Sequence, residues 1–109
     1  MQFAVIGSAV DSSGVPPQAE VALAKQTFQM MSSSPDSRIK IMYPYAGERA
    51  GILIVDVNSA DELQELLGSL PLSGVSKFEI HPIGTLEGVL KSLDAAEKRM
   101  ASMAPAGVR

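Results

Sequence analysis

Two kinds of strand-like segment alternate along the chain. Residues 3–6 (Phe-Ala-Val-Ile) and most of residues 51–57 (Gly-Ile-Leu-Ile-Val-Asp-Val) are continuously apolar, as expected of strands buried on both faces. Residues 38–45 and 77–83 alternate instead. In the first of these, Ile39, Ile41, Tyr43 and Tyr45 oppose Arg38, Lys40, Met42 and Pro44; in the second, Phe78 and Ile80 oppose Lys77, Glu79 and His81. Alternation marks a half-buried strand, and Pro44 suits a sheet edge. Helices are predicted between these segments. Pro16-Pro17 opens one over residues 19–31, with Leu23, Ala24, Phe28 and Met31 near one stripe and Glu20 in the first turn. Ser59-Ala60-Asp61-Glu62 is a capping box that starts a second helix through Leu63, Leu66 and Leu67. A third, over residues 86–100, lines up Leu86, Val89, Leu90, Leu93 and Met100. Residues 11–17 read as a loop, and residues 101–109 as a fraying tail.

The order β-α-β-β-α-β-α predicts an α+β fold: a ferredoxin-like βαββαβ antiparallel sheet with an extra C-terminal helix. Strands one and three should be central and strands two and four edges. Residues 1–84 would form the ferredoxin-like domain, and residues 85–109 the helix and flexible tail. Both crossover helices cover one sheet face. Ile39, Ile41, Phe78 and Ile80 are expected beneath them. Arg38, Lys40, Met42, Lys77, Glu79 and His81 are expected on the open face, around an apolar centre from the first and third strands. An apolar patch of that kind predicts a partner, most simply a second copy packed sheet to sheet. The expectation is a homodimer or higher homo-oligomer.

Composition agrees. The 109 residues fit one domain, and 46% apolar content excludes wholesale disorder. Charged residues are only 19% and the mean hydropathy is +0.16, consistent with surface buried in an assembly. A net charge of −3 offers nothing to nucleic acid. With no cysteine and a single histidine, disulfides, thiolate metal sites and a multi-histidine cage within the chain are excluded, so no metal is expected. Gly84-Thr85-Leu86-Glu87-Gly88 lacks the lysine and loop length of a phosphate-binding loop, and no cofactor is expected. No apolar run approaches 18 residues and no signal segment is visible, so the expectation is a cytoplasmic protein without a membrane partner.

From Tyr43 to Ile83 the chain resembles the muconolactone isomerase family of dimeric α+β barrels, with YciI-like barrels as wider relatives. The stretches that carry the resemblance are Tyr43-Pro-Tyr-Ala-Gly47, residues 51–57, residues 59–67, Leu70-Pro71-Leu72, Phe78-Glu-Ile80 and Pro82. The resemblance implies a small-molecule pocket between two sheets. Three positions depart from the family's pattern. Pro44 stands where an arginine is usual, Gln64 where histidine is frequent, and Ser73-Gly74-Val75 where aromatics follow the Leu-Pro-Leu. The implied chemistry is therefore an isomerase- or cyclase-type proton shift on a carbonyl or lactone compound other than muconolactone.

Such a reaction needs a base beside an acidic C–H and a donor for the developing enolate oxygen. His81 is the candidate base, because histidine ordinarily titrates near neutrality. Glu79, two residues away on the same strand face, could orient it, and Tyr43 could donate. Arg38, Lys40, Met42 and Tyr45 complete the candidate substrate-binding set. Each has a plainer reading. His81 could be a surface or interface residue, Glu79 a solvated partner of Lys77 or Lys40, and the tyrosines and methionines ordinary core and rim. The alternative to an enzyme is a non-catalytic dimeric barrel that binds a ligand or a partner protein.

Overall fold

The structure, a computed structural model, describes residues 1–10 and 14–103. Four strands, β1 (Gln2–Ala9), β2 (Ile39–Pro44), β3 (Ala50–Asp56) and β4 (Ser76–Pro82), form one sheet in the order β2-β3-β1-β4, with every neighbour antiparallel. The two apolar strands are central and the two alternating ones are edges, as their patterns require. Helices α1 (Pro17–Ser33) and α2 (Ala60–Gly68) connect them, and α3 (Leu86–Met103) follows β4. β1 runs three residues beyond its apolar run, because Gly7, Ser8 and Ala9 still pair with β4. Likewise α3 runs through Met103, so residues 101–103 are helical rather than frayed. Residues 11–13 of the expected loop and 104–109 of the expected tail lie outside the described residues.

The core lies between the sheet and α2. Phe3, Val5, Leu53 and Val55 point at Leu63, Leu66 and Leu67, with Val57 and Leu70 closing the end. The capping box holds this helix in place. Ser59 Oγ accepts from the Glu62 amide at 3.1 Å, while Glu62 Oε2 accepts from the Asn58 amide at 2.7 Å, so two otherwise unpaired N–H groups are satisfied. The Leu-Pro-Leu connector becomes a 3-10 turn, Pro71–Val75, that packs on α1 and α2.

One expectation about the faces is overturned. Ile39 pairs with Val55, but Ile41 pairs with Ile54 and Met42 with Leu53, a register shift at Lys40. The bulge inserts one residue and swaps the faces beyond it. Ile41 and Tyr43 therefore lie on the open face, and Met42 packs inward against the core. Ile39, Phe78 and Ile80 do share the helix side, through the pairs Gly7 with Phe78 and Val5 with Ile80. On the open face Ala4, Ile6, Ile52 and Ile54 form the apolar centre. Lys77, Glu79 and His81 line its β4 margin.

Candidate functional site

A cavity of about 330 Å³ lies between α1 and the sheet. Two glycines form part of its floor. Gly7 and Gly51 are direct cross-strand partners on the two central strands, and both face α1. Both line the cavity, and neither position has room for a side chain. A Cβ on Gly7 would stand 3.2 Å from the Phe78 ring, and one on Gly51 would stand 3.0 Å from the Tyr43 carbonyl oxygen. Met31 and Phe28 of α1, Met42 of β2 and Phe78 of β4 make apolar walls. Thr27, the one buried polar residue among those described, anchors α1 over the space: its hydroxyl donates to the Leu23 carbonyl at 2.9 Å and accepts from the Leu72 amide at 3.0 Å.

Polar groups gather at one end. Arg49, from the β2–β3 hairpin, reaches Glu20 in the first turn of α1 at 3.0 Å. Tyr45 and Glu48 line the same cavity. The Glu20 side chain is only 16% exposed, so a shielded carboxylate paired with a guanidinium stands at an otherwise apolar chamber that Tyr45 and Glu48 also line. Sequence reasoning passed over Glu20, Arg49 and the glycine pair. The available signal was two glycines, Gly7 and Gly51, at the ends of the two fully apolar strands.

The residues singled out from sequence are distributed differently. His81 Nε2 and Glu79 Oε2 meet at 3.1 Å, with both side chains well exposed on the open face. Tyr43 lies on that face too, but at the opposite edge, in the cross-strand row Tyr43–Ile52–Ile6–Glu79. Three strand spacings, about 14 Å, separate it from Glu79. Met42 lines the helix-side cavity rather than the open face, and Tyr45 lines the same cavity. Lys40, the bulge residue, borders a separate hollow of about 240 Å³ beside Phe28 and Met31.

Arg38 does not reach the open face. Its Nε and NH2 groups donate to Asp36 at 3.0 and 2.7 Å, and its NH1 faces Glu62 at 3.5 Å. These bonds, with the Arg38 amide at 2.9 Å, hold the Asp36 carboxyl down at about 2, and the same pairing raises the guanidinium further. A carboxyl whose folded pKa lies below its ordinary value stabilises the fold above that ordinary value and loses the contribution as pH falls. The D36N variant should therefore be less stable than the parent at pH 5, and the two should converge between about pH 4 and pH 2. Urea midpoints across that range measure it, and a constant gap would contradict the pairing.

The comparisons with known proteins agree with this architecture. The chain superposes on the crystal structure of muconolactone isomerase with a TM-score of 0.61 at 21% identity, over 78% of this chain and 90% of that one. It superposes equally, TM-score 0.61 at 14% identity, on 5-chloro-2-hydroxyhydroquinone dehydrochlorinase from Burkholderia phenoliruptrix in complex with 2,5-dihydroxybenzoquinone, over 81% and 98% of the two chains. No curated protein matches the sequence. The family model described as muconolactone delta-isomerase matches residues 1–88, from the first strand into the start of α3, and on that match the chain belongs to the muconolactone delta-isomerase family.

Proposed function

We propose that this protein is a cofactor-independent enzyme of catabolic or biosynthetic metabolism, working in the cytoplasm, that shifts a proton on a small cyclic carbonyl or lactone compound. The observation that carries this reading is the glycine-floored cavity. At about 330 Å³ it falls at the lower end of the roughly 300–1,000 Å³ usual for small-molecule sites. Its walls suit a ring, and its polar end supplies the groups a proton shift needs. Glu20 takes the proton from the carbon beside the carbonyl, and the electron pair moves onto the carbonyl oxygen. The Tyr45 hydroxyl donates a hydrogen bond to that oxygen, and the proton returns to the conjugated carbon. Arg49 orients the Glu20 carboxylate. Muconolactone is not the substrate, because Pro44, Gln64 and Ser73 replace groups usual in the family.

The His81–Glu79 contact favours a second reading. There a second copy, packed sheet to sheet in a homodimer or higher oligomer, would enclose His81 as base, and the partner's sheet would supply the donor that Tyr43 is too distant to give within one chain. A non-catalytic barrel that binds a ligand or partner protein would need neither base.

The 2,5-dihydroxybenzoquinone bound by the dehydrochlorinase is a suitable probe. Calorimetric titration should show binding that weakens at least about tenfold in Met42→Trp, which fills the cavity, and persists in His81→Ala. Loss in His81→Ala with retention in Met42→Trp would move the site to the open face.

A further inference from the structure

We propose that α3 pairs antiparallel with the α3 of a second copy of this chain, forming a short two-helix seam outside the family domain. The family match ends at residue 88, so nearly all of this helix is an addition to that domain. The helix is well formed: Thr85 Oγ1 accepts from the Gly88 amide at 3.0 Å, and Lys98 meets Asp94 at 3.3 Å one turn apart. Yet none of its residues is buried. The radius of gyration is 19.9 Å and the longest extent 68 Å, whereas a compact chain of this length would have a radius of about 13 Å. The helix projects from the body with its apolar stripe bare.

The stripe has a heptad period. Leu86, Val89, Leu93, Ala96, Met100 and Met103 fall at successive a and d positions, three, four, three, four and three residues apart, the spacing of a helix–helix seam. The six large apolar side chains on the helix are 52–84% exposed. Leu90 lies off the seam, and the five that lie on it offer roughly 600 Å² for burial, the low end of one partner's share of a specific interface. The polar positions carry Glu87, Asp94 and Glu97 against Lys91, Lys98 and Arg99. Two copies therefore meet without net repulsion, and there is no basic face to draw the helix to an anionic membrane.

Side-chain volume selects the antiparallel sense. Turned end for end, Leu86 faces Met103, Val89 faces Met100, and Leu93 faces Ala96, so the central layers set a large residue against a small one. A parallel pair would stack Ala96 on Ala96 and leave a gap. The pairing is independent of the chemistry proposed above, since α3 contributes nothing to the cavity.

Sedimentation equilibrium on the full chain tests it. Leu93→Glu should halve the mass seen for the parent at micromolar concentration, by weakening association at least about 100-fold through a buried charge. The chain has no cysteine, so single cysteines report the register. Val89→Cys and Met100→Cys should each stay uncrosslinked alone, since identical positions lie about 16 Å apart along the seam. Mixed, they should form a disulfide-linked pair. A mass unchanged by Leu93→Glu, or a Val89→Cys chain that crosslinks to itself, overturns the proposal.

Discussion

Leu66→Ala should lower the unfolding free energy by about 2–5 kcal/mol, the range for truncating a well-packed core leucine. Leu66 is 2% exposed and sits in the middle of the α2 face that covers the sheet, between Leu63 and Leu67 and in one buried cluster with the Phe3–Val55 pair. That pair is held in register by strands on either side, and α2 is fixed at its start by the Ser59 cap, so the cavity left by the alanine has little means to collapse. A domain of this size has roughly 5–15 kcal/mol of stability in all, and the melting temperature should fall by at least about 10 °C. Gln64→Ala, on the exposed side of the same helix, is the control and should stay within about 0.5 kcal/mol of the parent. Equal losses in the two variants would mean that α2 does not form the principal core contact.

Gly51→Val is expected to be the next most damaging change, and it should damage fold and cavity together. The obstruction is the backbone of β2: a Cβ at Gly51 would stand 3.0 Å from the Tyr43 carbonyl oxygen and 3.2 Å from the Pro44 Cα. A backbone contact cannot turn aside as a side chain can, so β2 must shift against β3. Overpacking of this kind costs about 1–3 kcal/mol. A shifted β2 would also displace Met42 and Pro44 from the cavity wall, so the probe binding proposed above should weaken alongside the fall in melting temperature. A variant with parental stability and parental binding would contradict the close approach of β2 to Gly51.

The local elements were legible in the sequence for specific reasons. The continuous apolar runs at residues 3–6 and 51–57 could be satisfied only by central strands, and they became β1 and β3. The capping box spelled by Ser59 and Glu62 forms because both of its bonds lie within four residues. The Tyr43–Ile83 stretch resembled the family that the match over residues 1–88 then showed. The face of β2 was not legible. Ile39, Ile41, Met42 and Tyr43 are all apolar enough to be buried, so the pattern fits the register with the bulge as well as the one without it. The choice at Lys40 is made by packing against Leu53 and Ile54.

By itself, then, the sequence determined what short-range chemistry decides: which segments become strands or helices, which strands are central, and that the sheet face away from the helices has an apolar centre. It also contained the heptad of α3, since that spacing is a property of one helix. The tertiary structure alone decided where a site could be. A cavity needs Gly7 opposite Gly51, and Glu20 within reach of Arg49 twenty-nine residues away. Neither proximity exists until the sheet has registered and α1 has crossed it. The same registration put His81 and Glu79 together on the far face and left Tyr43 three strands away. Alternation along a strand sets the face of each side chain, but only pairing between strands sets what lies beside it.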